Sequence, residues 1–220
     1  MLGYFSTHFG HFLIESMSRL WIYLNSDIAN KKAVYIAESD IYFIEMLELF
    51  GLKKSNIIRI TKPTKFKSVM VPEESNLIKE PFYNKKYKEI FKRIADGTNK
   101  SYTYDKIYLS RTKFIKRKGT IAGEAEIEKL FKNNGFTIIY PERLGIKEQI
   151  SLMKNCKYLA GIQGTAMHLS IFADDSINLI VIHRSKDEIF PEQIKINKMK
   201  NINNISIEAD LDFLRPFPFI

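Results

Sequence analysis

The second half of the chain alternates short apolar runs with amphipathic ones, and that alternation restricts the possible folds more than any other feature. From Lys106 onward the order is strand KIYLS, helix EAEIEKLFKNNG, strand FTIIYP, helix IKEQISLMKN, strand YLAGI, helix TAMHLSIFA and strand NLIVIH. The strands are apolar along their whole length, which suits strands covered on both faces, and a helix-length segment separates each from the next, as parallel pairing requires. An α/β class built on a doubly wound parallel sheet follows. In the first of these helices Ile127, Leu130 and Phe131 form the expected apolar stripe, and Asn134-Gly135 supplies the stop.

The first half repeats the pattern less regularly. Phe12, Leu13, Met17, Leu20, Trp21 and Leu24 recur at helical spacing and predict one helix from His11 to about Asn25. KAVYIA reads as a strand, SDIYFIEMLELFG as a helix capped near Ser39 or Asp40 and ended by Gly51, and NIIRI and FKSVMVP as two further strands. After Pro81 the segment PFYNKKYKEIFKRIA predicts a helix with a basic face. The polar stretch DGTNKSYTYD, at about residues 96–104, separates the two patterned regions and predicts two domains, 1–98 and 99–220.

With 220 residues, 45% of them hydrophobic, the chain can bury a core of its own, which excludes a disordered tail. Its formal charge of +9 favours anionic partners. Much of the lysine lies in segments rich in Ile and Asn, such as KINKMKNINNI, so compositional bias accounts for most of it. A nucleic-acid partner has only the net charge behind it, and none is expected. Cys156 is the only cysteine, which excludes an internal disulfide and a cysteine-rich zinc site; it reads as buried filler in a reducing compartment. Neither a signal peptide nor a run of about 20 apolar residues is present, so the expected location is the cytoplasm, with room for peripheral contact with the inner face of a membrane.

Cations gather where the strand KIYLS ends at Ser110: Arg111, Lys113, Lys116, Arg117 and Lys118 follow at once. In an open parallel sheet the C-terminal ends of the strands border the ligand crevice, so Arg111 with Arg117 is suited to clamp a diphosphate through forked hydrogen bonds. The plainer reading is a solvated basic loop. AGIQGTAMHLSIF has the same form, a strand, a turn Gly161-Ile162-Gln163-Gly164, and a helix beginning near Thr165. Small residues there let backbone N–H groups meet an anion, with Thr165 as cap or hydroxyl donor, although a close-packed turn explains them as well. His168, one turn on, faces either a ligand or a partner in the interior. Glu142 also follows a strand and is placed to bind ribose hydroxyls, whereas Glu148 and Gln149 are assigned to the helix surface. Asp210 and Asp212 in EADLD read as an acidic helix cap, and Asp174-Asp175 as a turn, so no metal site is expected.

Taken together, FGHFLIESMSRLW, IYLSRTK, GEAEIEKLFKNNGFTIIYPERLGIKEQISLM and LAGIQGTAMHLSIF resemble glycosyltransferase family 61, in the branch of capsular polysaccharide biosynthesis proteins. The resemblance runs from about Phe9 to His183 and matches in order and spacing. It implies a GT-B fold, in which two Rossmann-like domains face each other across a cleft and the second binds a nucleotide sugar. It also implies inverting, metal-independent transfer of the sugar to a glycan or lipid-linked glycan acceptor in bacterial surface polysaccharide synthesis, with no cofactor beyond the donor. The family usually reads histidine-glycine-alanine at Gln163-Gly164-Thr165 and asparagine-glutamate at Gly123-Glu124. Its members carry more sequence upstream of the GHF helix, so a truncated first domain is expected here. The alternative is a non-catalytic nucleotide- or glycan-binding remnant of the same fold.

Such a transfer needs a base for the acceptor hydroxyl, and THFGHFLIESMSRLW offers one. Gly10 permits close approach of the chain, the N-terminal end of the helix is expected to aim into the inter-domain cleft, and His11 and Glu15, four apart, share one face. Glu15 can hold the imidazole in the tautomer whose other nitrogen accepts a proton, with Arg19 anchoring Glu15. His8 lies outside the helix and ranks below His11. The plainer reading makes His11 a helix-start residue and Glu15–Arg19 a structural ion pair.

Overall fold

The structure is a computed structural model that describes residues 1–39, 42–76, 84–98, 102–114, 123–184 and 190–208. The chain divides into two compact units, Met1–Asn99 and Lys100–Ile220. Each is a mixed α/β body around a parallel sheet, a Rossmann-like arrangement.

The first unit runs β1 (Gly3–Tyr4), α1 (Phe9–Ile14), a 3₁₀ helix Ser16–Leu24, β2 (Ala33–Ile36), α2 (Phe43–Leu49), a 3₁₀ turn Lys54–Asn56, β3 (Ile57–Ile60) and α3 (Lys85–Asp96). Strand β2 pairs in parallel with β1 on one side and β3 on the other. Aromatic rings fill the core: Phe5 stacks on Tyr35 at 4.7 Å, and Phe12 meets Phe43 at 4.8 Å. Asn84 caps α3, its side chain accepting from Lys86 N–H at 3.0 Å, and Tyr87, Ile90, Phe91 and Ile94 form the buried face.

Two expectations fail in this unit. The single helix from His11 to Asn25 breaks at Glu15, because donors from elsewhere take the carbonyls an α-helix would use. Tyr87 Oη donates to Leu13 and Ile14 carbonyls at 3.2 and 3.0 Å, and Asn76 Nδ2 to Ile14 at 3.1 Å. Ser18 N–H bonds Glu15 O instead, at 3.0 Å, and the chain tightens into a 3₁₀ helix. FKSVMVP is not a strand: Val69, Met70 and Val71 are 48%, 58% and 61% exposed, so the run has no covered face to hold it in a sheet. In α2 the cap position is held by Tyr42, without a side-chain cap bond, and Asp40 lies outside the described residues.

The second unit runs β4 (Lys106–Leu109), α4 (Glu124–Asn133), β5 (Thr137–Ile139), a 3₁₀ turn Pro141–Arg143, α5 (Ile146–Met153), β6 (Tyr158–Ile162), a 3₁₀ helix Thr165–Phe172, β7 (Asn178–His183), α6 (Pro191–Lys200) and β8 (Asn203–Glu208). All neighbours are parallel, in the order β5-β4-β6-β7-β8. The chain leaves β4 for β5 on one side, then crosses back to β6 on the other. The strand order therefore reverses between β4 and β6, and an open α/β sheet binds ligands at the carboxyl ends flanking such a reversal.

One face of this sheet presents Tyr108, Ala160, Ile162 and Ile182, against which Ile127, Phe131 and Phe136 pack. Leu130 is not part of that stripe; it is 61% exposed, because Ile127 and Phe131, four apart, already cover the strands. Gly135 ends α4 at φ +82°, the left-handed conformation a helix stop uses. TAMHLSIFA forms a 3₁₀ helix where an α-helix was expected, buried among β6, α5 and α6. Asp174-Asp175 does form a turn, and Asp175 pairs with Lys200 at 2.9 Å. Cys156 is buried, its thiol pushed up to about 12 chiefly by burial. Helix α6 and strand β8 arise from the segment that composition made look featureless.

Candidate functional site

Arg111 leaves the end of β4 and Gly164 leaves the end of β6, so the two flank the reversal of strand order. Gly164 is extended, with φ 162°, and its lack of a side chain matters for space rather than for conformation. A Cβ there would lie 2.8 Å from Arg111 Nη1 and 3.3 Å from Arg184 Nη2. Two guanidinium groups thus converge on one glycine, Arg184 arriving from the end of β7. Like charges gathered at a backbone notch are what a phosphate-bearing ligand needs.

Carboxylates hold the Arg111 side of this cluster. Glu124, 1% exposed in the first turn of α4, accepts from Arg111 backbone N–H at 2.8 Å and from Tyr108 Oη at 3.4 Å. Burial pushes its carboxyl above the usual range, against the opposing pull of Arg111, and its Oε2 has no partner among the described residues. Burial lowers the Arg111 pKa while Glu124 and Glu142 oppose that shift; a guanidinium stays charged throughout. One helical turn on, Glu128 accepts from Ser110 Oγ at 2.7 Å, Thr112 Oγ1 at 2.8 Å and Tyr140 Oη at 2.9 Å. Burial alone would raise Glu128, but these three hydroxyls and Lys113 outweigh it and hold the carboxyl below its ordinary value. The network ties the turn after β4 to α4 and β5.

The other expected residues are distributed around this centre. Lys113 is exposed beside Glu128, and Glu142 is exposed on the 3₁₀ turn after β5. Gln149 pins that turn, its Nε2 donating to Pro141 and Leu144 carbonyls at 2.9 and 3.0 Å. Arg117, Lys116 and Lys118 lie outside the described residues, as do Asp210 and Asp212. Gly161 is buried within β6, where a Cβ would meet Met167 Sδ at 2.9 Å and Leu109 O at 3.1 Å; close packing accounts for this glycine. Gln163 Oε1 accepts from Arg184 N–H at 3.3 Å. Gly164 occupies the cap position, so Thr165 is the first residue of the 3₁₀ helix.

A pocket of about 320 Å³ opens on the α6 side of Gly164, lined by Gln163, Gly164 and His168, by Phe190, Gln193 and Asn197, and by Asn204, Ser206 and Glu208 of β8. His168 is both buried and part of this lining. Its Nδ1 meets Gln193 Oε1 at 2.8 Å, while Gln193 Nε2 donates to Ser170 Oγ at 3.0 Å and Asn197 Oδ1 at 2.9 Å. The amide orientation set by those two acceptors places the imidazole proton on Nδ1.

In the first unit His11 Nδ1 hydrogen-bonds Glu15 Oε1, and both side chains are about half exposed. A carboxylate only accepts, so Nδ1 donates and Nε2 is the basic nitrogen; it has no partner among the described residues. The ring of His8 lies 4.9 Å from that of His11. Arg19 does not anchor Glu15. It pairs with Glu74 at 2.7 Å and donates to Pro72 O at 3.1 Å.

Sequence reasoning passed over Arg184 and Glu124. Arg184 follows NLIVIH as Arg111 follows KIYLS, so the rule that singled out the first applies to the second. Glu124 and Glu128, four apart, form an acidic pair on one face of α4 next to a basic turn, a signal visible in GEAEIEKL. Among the described residues no group of three or more His, Cys, Asp or Glu is placed to hold a metal ion, and no helix is long and apolar enough to cross a membrane.

Gly164→Ala tests whether the converging arginines form a binding notch. The new methyl displaces the tips of two flexible side chains and no backbone, so stability should change by under about 1 kcal/mol. Affinity for pyrophosphate, measured by titration calorimetry, should fall roughly tenfold. Unchanged affinity would place the anion site elsewhere.

The family model for glycosyltransferase 61 matches residues 9–180, a span that includes His11, Glu15, Arg111, Glu124, Glu142, Gly164 and His168. No curated protein matches the chain in sequence.

Proposed function

Since the chain belongs to glycosyltransferase family 61, we propose that it moves a sugar from a nucleotide-sugar donor to a glycan or lipid-linked glycan acceptor in the cytoplasm, in the assembly of a capsular or other surface polysaccharide. The observation that carries this reading is the convergence of Arg111 and Arg184 on Gly164 at the reversal of strand order. As the glycosidic bond to the donor breaks, negative charge grows on the departing diphosphate, and preorganised cations stabilise that charge more than they stabilise the bound donor. The second unit is the donor-binding domain of a GT-B enzyme in this reading, and the first is the acceptor-side domain. His11 takes the acceptor hydroxyl's proton, and direct attack on the anomeric carbon inverts its configuration.

Two of the departures from the family pattern, at Gly123 and Gln163, are compatible with activity. Gly123 sits at φ +82°, a conformation that asparagine tolerates best after glycine, so the exchange preserves the turn before α4. Gln163 Oε1 accepts the Arg184 N–H, a task a neutral imidazole nitrogen performs equally well. These points favour an enzyme over a non-catalytic remnant.

The test is ligand-induced thermal stabilisation across a panel of nucleotide sugars, followed by transfer assays with the donor that stabilises. Arg111→Ala should weaken donor binding and slow transfer by about 10- to 150-fold, the loss of a charge-assisted contact of about 1.5–3 kcal/mol. Intact affinity and turnover would reduce Arg111 to a surface cation. Chelation with EDTA should leave the rate nearly unchanged, because the arginines supply the positive charge. Activity lost to EDTA and restored by manganese would overturn that part of the mechanism and turn attention to Asp210 and Asp212.

A further inference from the structure

Between Leu49 and Pro72 the chain carries Lys53, Lys54, Arg59, Lys62, Lys65 and Lys67 and no Asp or Glu at all. Arg59 is engaged by the carbonyls of Ala37 and Glu38, but the five lysines are exposed. The run closes on Val69-Met70-Val71, three consecutive apolar side chains that are all exposed. Apolar residues scattered singly need no explanation, but three in a row at the tip of a basic segment do.

The topology adds charge at the same place. Strands β2 and β3 are parallel, so Lys31-Lys32 and Lys53-Lys54, which precede them, sit at the same end of the sheet. Lys32 Nζ reaches across to Ser55 O at 2.8 Å. Lys31 and Lys32 line, together with Val69 and Met70, one groove of about 440 Å³. Strand β1 runs in the same direction as β2 and delivers the chain to His11 at the opposite end, so this surface leaves the proposed base uncovered.

We infer that Val69-Met70-Val71, framed by Lys31, Lys32, Lys53, Lys54 and Lys67, seats the protein on an anionic lipid bilayer. The apolar tip enters the headgroup layer while the lysines lie over lipid phosphates. An anionic bilayer meets both demands of the surface at once, an apolar medium for the tip and negative charge for its margin. A nucleic acid offers phosphates but no apolar medium. A second copy of the chain across a twofold axis brings lysine against lysine.

Vesicle binding is measured without donor or acceptor, so this inference does not depend on the transferase reading. The full chain should co-sediment with vesicles of phosphatidylcholine mixed with phosphatidylglycerol, hardly at all with phosphatidylcholine alone, and less as salt rises. Each lysine lost should lower vesicle affinity about fivefold, so Lys31→Glu/Lys32→Glu/Lys67→Glu should lose on the order of 100-fold or more. Val69→Ser/Met70→Ser/Val71→Ser should weaken binding at every salt concentration. Circular dichroism should be unaltered in both variants. Wild-type protein indifferent to phosphatidylglycerol, or charge-reversed protein binding as well as wild type, would overturn the inference. So would a dimer in light scattering that the serine variant dissociates, since the patch would then serve self-association.

Discussion

His11→Ala should fold, bind donor as the wild-type protein does, and lose about 10²–10⁴-fold in turnover. The expectation rests on the His11–Glu15 contact, which commits Nδ1 to donation and leaves Nε2, on an exposed side chain, to accept a proton. Donor binding is spared because the anion-binding residues belong to the second unit. Glu15→Gln should fall between wild type and His11→Ala, since an amide oxygen still accepts from Nδ1–H but no longer stabilises the imidazolium. The pH–rate profile separates a base from a structural histidine: the wild-type profile should carry an acid-side limb that the residual rate of His11→Ala lacks. Transfer at near wild-type rate by a folded, donor-binding His11→Ala protein would assign the base elsewhere and leave this histidine a structural part.

The parts of the fold legible in the sequence are those where burial on both faces made whole strands apolar. KIYLS, YLAGI and NLIVIH could hardly be anything else, and their spacing by helix-length segments left only parallel pairing. Strand β8 escaped notice because it is an edge strand: Asn203–Glu208 is exposed along its length and reads as polar. The break at Glu15 is a tertiary effect, since Tyr87 and Asn76 come from more than 60 positions away to take the carbonyls of Leu13 and Ile14. No local pattern announces it. The same holds for Arg19, whose partner Glu74 is fixed by the packing of a distant loop and not by helical spacing. Arg111 and Gly164 were legible because strand ends and glycine turns mark the ligand side of any parallel sheet. Their meeting across adjacent strands depended on a strand order that the sequence does not spell out.

Gly97→Ala should cost about 3 kcal/mol and lower the melting point of the first unit by roughly 10–20 °C. Gly97 follows the last residue of α3 with φ −68° and ψ −8°, a conformation open to any residue, so the backbone does not demand glycine there. Space does. A Cβ would stand 2.2 Å from Leu49 O and 3.0 Å from Leu49 C, at the point where the end of α2 packs on the end of α3. Unlike the arginine tips beside Gly164, a carbonyl at the end of a packed helix cannot swing aside, so one helix must retreat and carry Phe50 or Ile94 out of the core with it. Gly135→Ala is the control, since that residue needs φ +82° but has nothing within 4 Å of a would-be Cβ, and backbone strain alone should cost about 1 kcal/mol. Thermal melts of the two variants beside wild type therefore separate steric from conformational reasons for a glycine. If Gly97→Ala melts as Gly135→Ala does, α2 and α3 do not approach as closely as Leu49 and Gly97 require, and the seat of α3, whose Tyr87 breaks the helix below His11, must be redrawn.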